Sequence, residues 1–262
     1  MPHPFRLSAN ISMLFADLPF LQRIDAARAA GFPAVECQFP YATGLAELVD
    51  RLTALGLPMN SINTPMGDPT RGEFGFAALT GREDDFRAGF ERALIYGSAL
   101  KVSTIHCMSG VPGAATATSA RNTFLQNLRW AAPLARNYDI DLVIEPLNAR
   151  DRPGYFVARS DDVAGLIAEL GESNVKLLFD MYHIQIMEGD LIRRLEKHWS
   201  IIGHIQIAGV PLRREPDEGE IAGANMLHEL ARRGWAGFVG AEYNPRGDTM
   251  AGLGWARAWL KS

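Results

Sequence analysis

Short runs of β-branched and other apolar residues alternate along this chain with longer segments in which apolar residues recur at helical spacing. The alternation repeats eight times, and no change of composition marks a domain boundary. The apolar runs predict strands at Leu7–Ser12, Ala34–Cys37, Met59–Asn63, Val102–His106, Asp141–Glu145, Lys176–Asp180, Ile202–Gln206 and Phe238–Glu242. The segments between them are predicted helices, of which the first extends from about Leu18 to Ala30.

Residues at the ends of the predicted helices agree with this pattern. Gly31, Gly56 and Gly234 follow helical segments, where glycine can adopt the left-handed conformation that often ends a helix. Ser160 is the predicted N-cap of the fifth helix, and Asp161 and Asp162 after it place negative charge at the positive end of the helix dipole. The boundaries therefore fit eight successive βα units.

Eight βα units predict an α/β protein built as a (β/α)₈ TIM barrel. The chain has 262 residues, and such barrels commonly form one domain of about 250 residues. Eight parallel strands could also form a doubly wound sheet, but no G-x-G-x-x-G motif follows the first strand. We therefore expect a single barrel domain over residues 1–262.

Two predicted loops are longer than the usual connections of a compact domain. They cover residues 64–82 after the third strand and residues 209–219 after the seventh. In a barrel, loops that follow the carboxyl ends of strands rise over the active-site face. These loops are predicted lids or substrate clamps.

Composition and charge narrow the class of protein. The net charge is −4 without a basic run, which disfavours binding to nucleic acid and favours a small-molecule partner. No apolar stretch is long enough for a membrane span, and the N-terminus does not resemble a signal peptide, so a cytoplasmic location is expected. Cys37 and Cys107 are predicted to be reduced core residues. The sequence is compatible with a homo-oligomer and does not determine the oligomeric state.

Four consecutive predicted strands end in an oxygen-bearing side chain: Glu145, Asp180, Gln206 and Glu242. Any one of these residues alone could cap a helix or face solvent. Together they are spaced by about one βα unit each, so we expect them to meet at the catalytic end of the barrel. Three carboxylates in an apolar barrel mouth repel one another unless a cation neutralises them. Oxygen-only ligands favour Mg²⁺ or Mn²⁺ over zinc.

Other polar residues fall near the same end. His183 is a candidate to polarise a substrate oxygen, and its alternative is a histidine that only begins a helix. His106 and Asn63 end their strands, and each could instead be a satisfied polar group of the barrel wall. Glu36 could face the site or the helices, whereas His204 is expected one layer deeper than the metal ligands.

Two arginines and three further histidines complete the candidates. Arg213 and Arg214, in the loop after the seventh strand, could bind a substrate carboxylate or remain solvated. His3, His198 and His228 are expected at the surface.

The sequence resembles the hydroxypyruvate isomerase family, within the xylose-isomerase-like TIM barrels, over nearly its whole length. The resemblance rests on LSANISMLF, VECQFPY, NTPMGD, IEPLN, FDMYH, GHIQIAGVPLRREPDEGEI and AEYNPRGDT. Related sugar epimerases look similar but place a histidine where this chain has Gln206. One departure is Asn244, because members of the family often have lysine there, in EYKPRG.

The resemblance implies that Glu145, Asp180, Gln206 and Glu242 hold the metal, and that Glu145 and Glu242 are also the acid/base pair. It further implies that His183 and an arginine of LRREP, in the first place Arg213, contact the substrate. The expected reaction moves a proton between adjacent carbons through an enediolate, as from hydroxypyruvate to tartronate semialdehyde. Alternatives are a 2-oxo-tetronate isomerase, a ketose 3-epimerase, an endonuclease-IV-like nuclease and a non-catalytic sugar-acid binding protein.

Overall fold

Eight parallel strands form a barrel surrounded by helices in the computed structural model, which describes residues 4–113 and 115–260. The strands are β1 Arg6–Asn10, β2 Ala34–Glu36, β3 Ser61–Asn63, β4 Thr104–His106, β5 Asp141–Ile144, β6 Val175–Asp180, β7 Ile202–Ile207 and β8 Phe238–Ala241. The α-helices are α1 Phe20–Ala29, α2 Leu45–Leu55, α3 Glu83–Leu100, α4 Ala117–Arg136, α5 Ser160–Leu170, α6 Met181–Met187, α7 Leu191–His198, α8 Gly223–Arg232 and α9 Thr249–Gly252. Short 3₁₀ helices lie at Pro40–Ala42, Pro69–Arg71, Trp199–Ile201 and Leu253–Ala256.

The strands pair in the order β2-β1-β8-β7-β6-β5-β4-β3, every pair parallel. The two end strands then close the barrel through a parallel bridge between Val35 and Met59 and a hydrogen bond of 3.1 Å from Cys37 N to Ser61 O. Closure brings the carboxyl ends of all eight strands to one rim.

The structure confirms the predicted fold class, and each predicted strand agrees with an observed one to within two residues at either end. The first helix is Phe20–Ala29, close to its predicted range. Gly31 and Gly56 have φ of 90° and 58°, which confirms their left-handed conformation after helices α1 and α2.

The predicted N-cap of the fifth helix is wrong by one residue. Ser160 is the first residue of α5, and the preceding Arg159 makes no capping hydrogen bond with its side chain. The carboxylate of Glu188, at the end of α6, accepts the Ser160 backbone N–H at 2.7 Å instead. A distant acid therefore caps α5, and Asp161 and Asp162 occupy its first turn as predicted.

Buried positions agree with most of the other expectations. Cys37 and Cys107 are free thiols in the core, and burial raises the pKa of Cys37 to about 12. The surface prediction for His198 is wrong, because α7 packs on α5 and leaves that side chain 3% exposed, with Nε2 3.0 Å from Asp161 Oδ1. His228 is exposed as expected, and His3 lies outside the described residues.

No helix among residues 4–113 and 115–260 combines the length and the apolarity that a membrane span requires.

Candidate active site

A cavity of about 560 Å³ opens at the carboxyl ends of the strands. Most of the candidate residues line it: Asn63, His106, Glu145, His183, Gln206, Arg213 and Glu242. Both long loops contribute to its walls, through Met66 and Phe74 on one side and Pro211 and Leu212 on the other. The loops therefore lie at the carboxyl-terminal face of the barrel, and their role as lids or substrate clamps stays a prediction.

The barrel register explains how the acids reach the cavity. Asp180 lies opposite Gln206, Gln206 opposite Gly240, and Gly240 opposite Ser8, so inward-pointing residues of β6, β7, β8 and β1 share one row. Glu242 follows two residues after Gly240 and points to the same side of the sheet, nearer the rim.

Three ionisable groups meet closely at one point of the floor. One ligand atom from each of Glu145, Asp180 and His183 lies within 4.8 Å of the others. His183 Nε2 is 3.7 Å from Glu145 Oε1 and 3.6 Å from Asp180 Oδ2. All three residues are buried.

Arg213 links Glu242, another of the predicted metal ligands, to Asp180. Its Nη2 donates to Glu242 Oε2 at 2.6 Å and to Asp180 Oδ2 at 3.2 Å. The residue has φ of 53°, an uncommon conformation for a side chain larger than glycine, and its carbonyl accepts the Asn244 N–H at 2.7 Å. Arg214 does not line the cavity, so Arg213 is the arginine of the pair that faces the site.

Burial and repulsion perturb the acids as expected for a shared cation site. Burial, followed by the charges of Glu242 and Asp180, raises the pKa of Glu145 well above its ordinary value. Burial raises the pKa of Asp180 although Arg213 opposes the shift, and it raises the pKa of Glu242 to about 7. The folded protein thus holds three carboxyl groups that ionise reluctantly.

Backbone contacts determine which nitrogen of His183 carries the proton. Nδ1 accepts the Asn148 backbone N–H at 3.1 Å, and the Asn148 side-chain amide lies 2.8 Å from the same nitrogen. Burial first, and then the charge of Arg213, holds the pKa of His183 well below its ordinary value. The neutral ring therefore carries its proton on Nε2, which faces the acids as a hydrogen-bond donor rather than as a metal ligand.

His106 and Asn63 lie at the cavity wall. Neither ring nitrogen of the buried His106 makes a hydrogen bond with a described residue, although Nδ1 lies 3.4 Å from Glu145 Oε2. Burial lowers the pKa of His106 to about 3, so the ring is neutral. Asn63 contributes to the wall, and its backbone carbonyl oxygen accepts a hydrogen bond from the Tyr41 hydroxyl.

Sequence reasoning did not find several residues that hold or line the site. Asn10 and Gln38 donate to Glu242 Oε1 at 2.9 and 2.7 Å, and Asn148 holds His183. Arg150 and Arg152 also line the cavity. Their positions at the end of β1 and after β2 and β5 are a signal in the sequence, since these strand ends and the loops that follow them reach the same rim.

The oxygen set fits a divalent cation. Glu145 Oε1 and Gln206 Oε1 are buried and accept no hydrogen bond from the described residues. Buried acceptors normally have partners, and two of them beside mutually repelling carboxylates are suited to a cation. Carboxylate and amide oxygens are typical ligands of Mg²⁺ and Mn²⁺.

Comparison with known proteins places this chain in a family. Residues 24–262 match the family model described as xylose isomerase-like TIM barrel. A 2-oxo-tetronate isomerase from Cupriavidus necator is 46% identical, over 97% of this chain and 98% of the relative. A hydroxypyruvate isomerase from Escherichia coli is 39% identical, over 95% and 97%.

Solved structures agree with the fold. A crystal structure described as AP endonuclease, family 2, from Brucella melitensis is 41% identical over 99% of both chains, with a TM-score of 0.95. The resemblance seen in the sequence motifs is thus confirmed. The chain belongs to the xylose isomerase-like TIM barrel family and, with relatives named hydroxypyruvate isomerase and 2-oxo-tetronate isomerase, it is an isomerase.

Proposed function

We propose that this isomerase interconverts a short 2-oxo-3-hydroxy acid and its 3-oxo-2-hydroxy isomer. The observation that carries the proposal is the convergence of buried carboxyl groups at the floor of a cavity that three arginines line. A proton leaves C3 of the substrate and returns to C2, while the hydroxyl proton on O3 moves to O2, so an enediolate lies between the two acids.

Glu145 and Glu242 are the proposed acid/base pair. Both side chains are buried and line the cavity, so a bound substrate can lie within reach of their carboxylate oxygens. His183 donates from Nε2 to a substrate oxygen, where it stabilises developing negative charge without becoming charged itself. Arg150, Arg152 and Arg213 offer guanidinium groups to the substrate carboxylate.

A divalent metal ion, Mg²⁺ or Mn²⁺, held by Glu145, Asp180, Gln206 and Glu242 would supply positive charge next to the two substrate oxygens. Met66, Phe74 and Leu212 contribute apolar surface to the walls of the cavity.

Two acids are candidate substrates. The relative at 46% identity is named for 2-oxo-tetronate and the one at 39% for hydroxypyruvate, so we place the four-carbon acid first and hydroxypyruvate second. A nuclease is disfavoured by the net charge of −4 and by a cavity of about 560 Å³, the size of a small-molecule site.

The test is an isomerase assay on both acids with Mg²⁺ or Mn²⁺ added after chelation. We expect Glu145→Gln and Glu242→Gln each to lower kcat by about 1000-fold, because each removes a proton carrier and leaves a side chain of the same size. Circular dichroism would check that both variants stay folded.

Retained activity in either variant would remove that residue from the mechanism. Absence of turnover of both acids by the native enzyme would overturn the proposal and leave ketose 3-epimerisation to be assayed.

A further inference from the structure

One buried carboxylate inside the barrel takes no part in the proposed proton transfer. Glu36, the last residue of β2, is 1% exposed and points into the barrel rather than toward the helices. Its two oxygens accept from five side chains at 2.7 to 3.5 Å: Ser8, Asn10, Asn60, His204 and Gln206. Such a set of donors exceeds what is needed to satisfy one buried acid.

The Glu36 side chain crosses the barrel interior to contact a strand that is not its neighbour. Strands β1 and β8 separate β2 from β7, yet Glu36 Oε1 lies 2.7 Å from Gln206 Nε2 on β7. Gly240 of β8 makes this reach possible, because a Cβ atom there would lie 2.4 Å from both carboxylate oxygens of Glu36. Ser8, on the intervening strand β1, has a small side chain whose hydroxyl donates to Glu36 Oε2 at 3.1 Å.

This contact determines how the Gln206 amide is oriented. A carboxylate oxygen accepts hydrogen bonds, so the amide group nearest to it must be the NH₂ and not the carbonyl oxygen. The Gln206 carbonyl oxygen consequently points away from Glu36, and it is buried without a hydrogen-bond partner among the described residues. Were the amide reversed, two acceptors would face each other in the barrel interior.

Glu36 also acts on a second member of the site. Asn10 Nδ2 lies 3.1 Å from Glu36 Oε1 and 2.9 Å from Glu242 Oε1, so one amide group connects the two acids. Gln38, two residues after Glu36, donates to the same oxygen of Glu242 at 2.7 Å. Residues in β1 and in and just after β2, where none of the proposed metal ligands lies, thereby contact a ligand on β7 and another just after β8.

We infer that Glu36 is a positioning residue that holds the Gln206 amide with its NH₂ group toward Glu36 and its carbonyl oxygen free to bind a cation. The inference rests on the proposed function in one respect, the assignment of Gln206 as a metal ligand. Partners that orient metal ligands from behind typically contribute 10- to 100-fold in metal affinity.

A double-mutant cycle tests this role through the affinity for Mn²⁺, measured by electron paramagnetic resonance of the free ion. Glu36→Gln keeps the size of the side chain but can present either an oxygen or an NH₂ group to Gln206. We expect it to weaken Mn²⁺ binding by about tenfold in the native background. In a Gln206→Leu background the same change should cost several-fold less, because the Gln206 amide is gone and only the contact through Asn10 to Glu242 remains.

A second measurement needs no metal. The side-chain amide NMR signals of Gln206, assigned by their loss in Gln206→Leu, should exchange slowly with solvent in the native protein and faster in Glu36→Gln. The matched control is Glu188→Gln, which alters a buried carboxylate at the end of α6, outside the barrel. It should leave both the Mn²⁺ affinity and the Gln206 signals unchanged.

Equal weakening of Mn²⁺ binding in both backgrounds would overturn the inference, because Glu36 would then act through its charge or through the fold. Unchanged Gln206 signals in Glu36→Gln would overturn it as well. If the native protein binds no Mn²⁺, the proposed metal site fails, while the amide signals still decide whether Glu36 orients Gln206.

Discussion

At the scale of single residues, the acids of the site make the folded protein hold protons that the unfolded chain would release. Burial raises the pKa of Glu242 from 4.5 to about 7, and the pKa of Glu145 shifts in the same direction. Each buried carboxyl group therefore costs stability when it must ionise, unless a cation compensates for the charge. This cost is measurable without a substrate.

The first prediction concerns the pH dependence of stability in the metal-free protein. Between pH 4.5 and about 7, the Glu242 carboxyl is ionised in the unfolded chain and protonated in the folded one, so folding takes up a proton. The contribution of Glu242 to the free energy of unfolding should then fall as pH rises through this window, by up to about 3 kcal/mol, whereas the lowered pKa values of His106 and His183 act in the opposite direction. Urea unfolding at pH 5 and pH 7.5 with chelator, on the native protein and on Glu242→Gln, isolates this contribution. The variant lacks it, so its free energy of unfolding should fall less, or rise more, between the two pH values, and an equal change in both proteins would contradict the assignment.

The second prediction concerns Arg213, which occupies two oxygens that the proposed metal site also needs. Its Nη2 contacts Asp180 Oδ2 and Glu242 Oε2. Arg213→Met removes both hydrogen bonds and a positive charge, so Mn²⁺ affinity should rise about tenfold, equivalent to one charge-assisted hydrogen bond. The KM for the acid substrate should rise at the same time, because a carboxylate partner is lost.

Arg214→Met is the control for this experiment, since the neighbouring arginine does not line the cavity. Both quantities should stay within about twofold of the native values in that variant. Weaker Mn²⁺ binding in Arg213→Met would show that the guanidinium supports the ligands rather than competing for them.

The sequence predicts the acids and the amide of the site better than it predicts the residues that hold them by hydrogen bonds. Acids and amides that end successive strands must meet at one rim, which identified Glu145, Asp180 and Glu242 together with Gln206. Contacts such as those of Asn10 with Glu242, or Asn148 with His183, depend on strand register and loop geometry. A sequence contains neither, and so Glu36 could not be assigned to the barrel interior in advance.

At the scale of elements, helix α5 begins without a side chain from its own N-cap residue. Glu188 accepts the Ser160 N–H at 2.7 Å, and Arg194 Nη1 lies 2.6 Å from the same carboxylate. Sequence rules for helix caps consider only the residues next to the helix in the chain, so they cannot predict capping by an acid from another helix. This explains why Ser160 is predicted as the N-cap although it is the first residue of the helix.

The third prediction follows from this cap. Glu188→Ala leaves the Ser160 N–H without its acceptor and removes the carboxylate beside Arg194, so the free energy of unfolding should fall by about 1 to 2 kcal/mol. Urea denaturation followed by circular dichroism measures the change. Asp162→Ala, in the first turn of the same helix, is the comparison, and it should cost less because it removes only a charge near the helix dipole. An equal loss in both variants would remove the capping role from Glu188.

At the scale of the whole molecule, the closed barrel assembles a site from residues that are far apart in the chain. The proposed metal ligands come from positions 145 to 242, and Asn10 and Gln38 hold one of them from the other end of the sequence. In the unfolded chain these groups are dispersed. A cation that needs all of them therefore binds the folded state alone and must stabilise it.

The fourth prediction is the size of that stabilisation. At a free Mn²⁺ concentration of about 100 times Kd, linkage adds about 2.7 kcal/mol to the free energy of unfolding, which for a domain of this size raises Tm by about 5 to 10 °C. Differential scanning calorimetry with Mn²⁺ and with chelator measures the shift. Asp180→Asn, which weakens one proposed ligand, should reduce the Tm shift at the same Mn²⁺ concentration. Glu188→Gln should lower Tm both with Mn²⁺ and with chelator, and the difference between these two Tm values should stay as in the native protein. A native Tm that does not respond to Mn²⁺, Mg²⁺ or chelator would contradict the metal site, because a cation held by four buried groups cannot leave stability unchanged.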